Sequence, residues 1–197
     1  MSNQEEAYEE NVVRVGITGY ATAGKEEIAD VLVEEYGFVK IGMSDALNNY
    51  LRILNPVVAV DAPSLLMYSD AIDTHGYVEA KERYPEVRRL LQVMGTEVGR
   101  AIDSDMWVKE LNKLASNHQR VVTTGIRFPN EFTDLTCLVA VERPGVGPLN
   151  DHPSENIDDI IDEADYFFNN DGTVDLLREN VRLLAPSIIA HSRGAQE

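Results

Sequence analysis

The residues best suited to chemistry lie in one run, Gly19-Tyr20-Ala21-Thr22-Ala23-Gly24-Lys25. An apolar, β-branched stretch ends just before it, and a helical pattern begins at Lys25. In that setting G-x-x-x-x-G-K is a phosphate-binding loop. Its glycines let successive N–H groups turn toward one anion, and the following helix N-terminus adds partial positive charge. Lys25 is placed to reach the β- and γ-phosphates of a nucleotide. Glu26 stands where Ser or Thr usually gives Mg²⁺ a hydroxyl, so the loop predicts nucleotide binding and leaves the metal ligands unassigned.

Three further segments carry candidate chemistry. Projected at about 100° per residue, the helix expected from Pro85 puts Val87, Leu90, Leu91, Met94 and Val98 on one face. Arg89, Gln92, Thr96 and Arg100 then share the opposite face, a set suited to a phosphate plus a sugar or base. Gly95 and Gly99 lie beside that stripe and would leave it open to close approach. In Thr123–Glu131, Arg127 follows a strand whose carboxyl end adjoins the loop if that strand neighbours the first, and there a fixed cation binds a transferring or accepting phosphate. The stretch 143–153, rich in proline and glycine, reads as a lid-like loop carrying Arg143 over the phosphates. His152 there binds a phosphate or braces the loop, bracing being the simpler reading. Asp45 either positions metal-bound water or the acceptor, or caps a helix.

Composition bounds the function. The chain has 17 basic and 34 acidic residues, a net charge of −17. Such a surface repels nucleic acid, and it requires any site for anions to be built locally from a few cations. The single cysteine, Cys137, sits in an apolar run and reads as a core residue. The histidines show no metal-ligand spacing. No apolar run approaches the roughly eighteen residues of a membrane span and no signal peptide is apparent, so a cytoplasmic protein is expected.

To position these residues, the pattern predicts a flexible acidic arm over 1–11 and one domain over 12–185, followed by a tail over 186–197. Strands are expected at 12–18, 38–43, 120–124, 138–141 and 166–168. A helix follows the loop and stops at Gly37. Residues 44–117 read as a helical acceptor-binding insertion, with Ser44-Asp45 and Ser104 as caps and a mixed, mobile stretch from Pro56 to Gly76. Residues 129–135 make a short helix, and Thr173 caps a last one to about Leu184. Alternating strands and helices give a three-layer α/β/α fold with a five-stranded parallel sheet, a helical insertion and a short lid.

In this order, Gly19–Lys25 with an acidic residue next, Leu91–Arg100, Ile126–Glu131, His152–Asn156 and Asn169–Thr173 resemble the deoxynucleoside monophosphate kinases of bacteriophages, within the nucleoside monophosphate kinase-like P-loop family. The resemblance implies ATP as donor, a deoxynucleoside 5′-monophosphate as acceptor and a need for Mg²⁺. It implies that Gly19 to Glu26 cradle the donor phosphates and Lys25 the transferring group, that Arg127 and Arg100 belong to the acceptor and phosphate clamp, that Arg143 serves the lid, and that Asn170 to Gly172 sit near the donor base. Glu27 and Gly125 depart from the family's usual Thr and Asp. Small nucleotides are the expected partners, not nucleic acid or membrane, with a homodimer left open and a host cytoplasm as the setting for a phage protein. Two other readings stand beside this one. One is a P-loop kinase acting on a modified base or a small metabolite, and the other a nucleotide-binding protein without turnover.

Overall fold

A computed structural model describes residues 12–61 and 64–191; the expected arm over 1–11 lies outside them. β1 (Val13–Thr18) is the centre of the sheet. Val15 and Ile17 are fully buried on one side of it, beneath α1 (Lys25–Tyr36) and the long C-terminal helix. α1 ends where Gly37 takes up a left-handed conformation and its N–H caps the carbonyl of Leu32. β2 is only Val39–Lys40, shorter than expected. Its extension still runs beside the neighbouring strand, with Ile41 and Met43 donating to Val122 and Thr124.

The insertion is less helical than its sequence suggests. α2 (Asp45–Leu54) leads into a hairpin of β3 (Val57–Asp61) and β4 (Ser64–Met67), where a mobile element was expected. α3 (Tyr68–Arg83) bends at Gly76, whose φ of 76° and ψ of 164° break the helix in two. α4 (Pro85–Gln92) starts with proline in its first turn, as predicted. It then passes into a π-helical segment, Val93–Gly99, and the short α5 (Arg100–Ile102). α6 (Met106–Ala115) follows, with Asp105 and not Ser104 at its start. Ser44 makes no side-chain cap on α2; the Asp45 carboxylate instead accepts the N–H of Gly42 at 2.8 Å.

β5 (Arg120–Thr124), β6 (Cys137–Glu142) and β7 (Tyr166–Asn169) complete a five-stranded parallel sheet in the order β2-β5-β1-β6-β7. Only one 3₁₀ turn, Pro129–Glu131, forms where a helix to Leu135 was expected. A second, Pro153–Glu155, precedes α7 (Asp158–Asp162). Thr173 caps α8 (Val174–Ala190) by accepting the N–H of Leu176 at 3.2 Å. That helix continues through Pro186, and Ile188 is fully buried, so the packed domain reaches past residue 185.

Two cores sandwich the sheet. Residues from β1, β6 and Phe168 meet α1 and α8 on one side. On the other, Leu138, Val121 and Ile126 meet Leu51, Tyr68, Val87, Trp107 and Leu111 of the insertion. Cys137 belongs to the first core and is fully buried, as read from the sequence. No helix among the described residues is long and apolar enough to cross a membrane.

Candidate phosphate-binding cleft

Leaving the carboxyl end of β1, the chain must turn sharply against β6. A Cβ on Gly19 would lie 2.3 Å from the carbonyl oxygen of Val141, and its φ is 143°. Gly24, with φ 115°, would place a Cβ 2.7 Å from Asn170 Nδ2. Only glycine suits either position. Thr22 between them is left-handed as well, at φ 66°. The loop is thus held in one shape before any ligand arrives. Asn170 fixes it from outside by donating to the Ala23 carbonyl at 2.8 Å. Tyr20 fixes it from beneath, its hydroxyl 2.6 Å from Asp158. That hydrogen bond, with burial, pushes the Tyr20 phenol up to about 12.

Lys25 opens α1 and folds back over the loop, donating to the carbonyls of Gly19 at 2.7 Å and Tyr20 at 2.6 Å. Burial first, and Arg127 second, push its pKa down to about 8. An anion beside it would reverse both effects, since opposite charge favours the ammonium form. Glu26 reaches Lys40 at 3.0 Å and Glu27 reaches Arg178 at 3.3 Å. Both acidic residues that depart from the expected hydroxyls therefore have cationic partners.

The loop forms one wall of a cleft of about 620 Å³. Of the residues singled out from the sequence, Ala21, Thr22, Gly24, Lys25, Glu26, Asp45, Gln92, Thr96, Arg100, Arg127, Arg143 and Asn170 line it. Gly19, Tyr20 and Ala23 belong to the loop's frame instead, and Ala23 is buried. Gly172 packs on Leu176 outside the cleft. His152 also stays outside it. Its Nδ1 lies 2.8 Å from Ser154 Oγ and accepts the Ser154 N–H, while Nε2 lies 3.5 Å from Glu97. It braces the 143–153 connection against the π-helical segment, helped by Gln92 and Asn150 at 3.4 Å.

Arg89 is the clearest displacement. It turns to solvent and makes a bidentate pair with Glu86, while Arg88 enters the cleft. The uniform helical projection fails because the winding changes after Gln92. A π-helix turns less per residue than an α-helix, so Thr96 and Arg100 fall in line with Arg88 and Gln92, not with Arg89. Val98, projected onto the apolar face, is 41% exposed for the same reason. Gly99 serves packing: the Trp107 ring lies 2.5 Å from where its Cβ would be, and the indole N–H donates to the Gly95 carbonyl at 2.7 Å. Gly95 itself lines the cleft.

Arg100 lines the cleft, yet its terminal nitrogens are engaged. One donates to Asn130 at 3.0 Å and to the Ser104 carbonyl at 3.1 Å; the other pairs with Glu131. Its guanidinium stacks 3.8 Å from the centre of the Phe128 ring. Glu131 is buried, and burial pushes its pKa up against the pull of the Arg127 N–H and Arg100. Its second oxygen accepts the N–H groups of Arg127 at 2.6 Å and Phe128 at 3.2 Å. Arg127 also donates to the Ser154 carbonyl at 2.9 Å, which leaves guanidinium edge facing the cleft.

Sequence reasoning missed Lys81 and Arg88. Lys81 sits 4.1 Å over the Tyr77 ring, and burial with nearby Arg88 pushes its pKa down to about 8. A signal was present in the i, i+4 spacing of Tyr77 and Lys81. Opposite the loop, Met43, Leu47, Leu91 and Trp107 give an apolar lining beside the polar Gln92 and Thr96.

A parallel sheet with this loop at the carboxyl end of its central strand defines a P-loop α/β/α fold. No protein-family model matches the chain. A protein of Acanthamoeba polyphaga mimivirus, "Putative deoxynucleotide monophosphate kinase", is 25% identical over 169 residues, covering 73% of this chain and 81% of its own. A Wolbachia tRNA dimethylallyltransferase is 33% identical over 88 residues, which are 45% of this chain and only 28% of that enzyme. Among solved structures, TT1252 of Thermus thermophilus superposes with a TM-score of 0.50 at 15% identity, covering 90% of this chain and 98% of its own. The shikimate kinase of Aquifex aeolicus has a TM-score of 0.48 at 13% identity, covering 89% of this chain and 97% of its own. These structural likenesses concern the fold.

Proposed function

We propose that the protein transfers the γ-phosphoryl group of ATP to the phosphate of a deoxynucleoside 5′-monophosphate. An oxygen of the acceptor phosphate bonds to the γ-phosphorus, the bond from that phosphorus to the β–γ bridging oxygen breaks, and ADP leaves with the bridging oxygen. The observation that carries this reading is one cleft in which a P-loop lysine meets Lys40, Lys81, Arg88, Arg100, Arg127 and Arg143, each from a different segment, on a chain of net charge −17. The likeness to the mimivirus protein supports it.

In this reading Ala21 to Lys25 bind the donor phosphates and Lys25 follows the transferring group. Arg127, held by the Glu131 carboxylate through its backbone, stabilises charge on the moving phosphoryl, and Arg143 closes on it from the 143–153 connection. Positioning and charge stabilisation supply the catalysis, so no dedicated base is required. The apolar lining around Leu91 and Trp107, with Gln92 and Thr96 beside it, suits an aromatic base edged by polar groups.

Mg²⁺ is held by one or two carboxylates, waters and the phosphates themselves. Of the carboxylates lining the cleft, Asp45 keeps one oxygen clear of its bond to the Gly42 N–H and would hold such an ion, with Glu26 joining only by leaving Lys40. Bound there with ATP, Mg²⁺ would neutralise phosphate charge. A cytoplasmic setting is in keeping with these proposed substrates.

The test is ADP release from Mg-ATP across a panel of deoxy- and ribonucleoside monophosphates. Turnover restricted to some deoxynucleotides is expected. ATP binding with no turnover on any acceptor would overturn the reading.

A further inference from the structure

Most arginines of this acidic chain have a carboxylate partner. Arg52 pairs with Asp73, Arg178 with Glu27 and Glu34, and Arg182 with Glu35. Lys81 and Arg88 do not: among the described residues, neither has a carboxylate oxygen within 4 Å. They come from different helices, α3 and α4, and both line the cleft. Each feels the other's charge, and Lys81 also feels Lys25 and Arg127. Glu26 and Glu82 offset this repulsion at Lys81 only in part and neither forms an ion pair with it, so a dianion is the ligand that relieves the cluster.

We infer that Lys81 and Arg88 form the subsite for the accepting phosphate, facing the P-loop across the cleft. The inference rests on the transfer reaction proposed above and assigns its second anion to residues that no sequence motif marks. Two features of the fold produce the site. The bend at Gly76 turns the second half of α3 so that Tyr77 and Lys81 line the cleft. The Tyr77 ring beneath Lys81 supplies a face that attracts the ammonium without neutralising it. Arg88 adds a planar fork that can take two phosphate oxygens. Arg100, whose terminal nitrogens serve Ser104, Asn130 and Glu131, is then a strut for the Arg127 loop and not a ligand.

The groups facing Lys81 are Arg88, Arg127 and Lys25, with Glu26 and Glu82 as the nearby carboxylates. Its ammonium is charged below about 8 and neutral above. Affinity for the acceptor should therefore fall as pH rises through that value. Arginine at position 81 stays charged and removes Lys81's share of the fall, leaving that of Lys25.

The experiment uses the full chain, with the donor site filled by a non-hydrolysable ATP analogue and Trp107, the only tryptophan, as the fluorescence reporter. Deoxynucleoside monophosphates, the same deoxynucleosides without phosphate, and inorganic phosphate are titrated separately. Lys81→Gln and Arg88→Gln should each weaken monophosphate binding about tenfold or more, the scale of a lost charge-assisted hydrogen bond. ATP and the phosphate-free nucleosides should bind as before, and Lys81→Arg should restore affinity. Monophosphate and inorganic phosphate binding unchanged by both substitutions, or ATP weakened equally, would overturn the subsite. If the wild type binds inorganic phosphate in a Lys81- and Arg88-dependent way yet no nucleoside monophosphate, the subsite stands and the nucleotide acceptor falls.

Discussion

The two walls of the cleft are built in opposite ways. The donor wall is a single short run, residues 19–26, whose shape is fixed by local backbone conformation at Gly19, Thr22 and Gly24. The opposite wall is gathered from α2, α3, α4, the π-helical segment and the loop after β5, and no two of its cations are adjacent in sequence. One wall is specified by covalent neighbours and the other by packing on the second core. A local wall tolerates changes elsewhere in the chain. An assembled wall transmits them, because its side chains move with the helices that carry them.

That contrast is broken or sharpened by substitution. Lys25→Ala should lower turnover by about a thousandfold or more while circular dichroism stays unchanged, as the removed group acts on the transferring phosphate; near-normal turnover would remove the loop from the reaction. Arg127→Ala should lower kcat about a hundredfold with the ATP KM little affected. Glu131→Ala should cost about 3–5 kcal/mol in urea unfolding by stranding Arg100 in a buried pair, and should lower kcat by releasing the Arg127 loop. Gly99→Ala should cost about 1–3 kcal/mol by driving a methyl group into Trp107. Its loss of acceptor affinity should exceed its loss of ATP affinity, whereas equal losses would show that the walls are not independent. Smallest of all, Arg89→Ala should leave turnover and stability as they are.

The donor wall has its own pH signature. Lys25 titrates near 8, below its ordinary value, because burial and Arg127 disfavour its charge. ATP affinity should hold below that pH and fall above it as the ammonium is lost, measured by calorimetry from pH 7 to 9.5. A flat profile would mean that Lys25 contributes no charge to the bound phosphates.

The same contrast decides what the sequence made legible. The loop, β1, α1 and the Gly37 stop could be read because spacing and residue type there dictate backbone shape directly. Arg127 could be placed only on the condition that its strand neighbours β1, a condition the pairing of β5 with β1 meets. The hairpin could not: Val57–Val60 and Leu65–Met67 are short apolar runs, and periodicity does not separate a short strand from a helical turn. Arg88 is not legible because an even helical winding puts Arg89 on the cleft face, and the winding changes after Gln92. Lys81 is only half legible: its i, i+4 spacing from Tyr77 is in the sequence, but its place in the cleft depends on the Gly76 bend.

The seven-residue π-helical segment gives this wall an unusual kind of adjustability. Wider winding of this sort accommodates a surplus residue within an otherwise α-helical path. Deleting one residue between 97 and 99 would let the segment rewind as α-helix. Six residues at about 100° each span about the same turn as seven at the wider winding, so the chain beyond would keep its bearing. Arg100 would stay against Glu131 while Thr96 rotated out of line with Arg88 and Gln92, with no side chain having changed its chemistry. The far wall can thus be retuned by editing chain length as well as composition, a route closed to a loop whose every backbone angle is already committed.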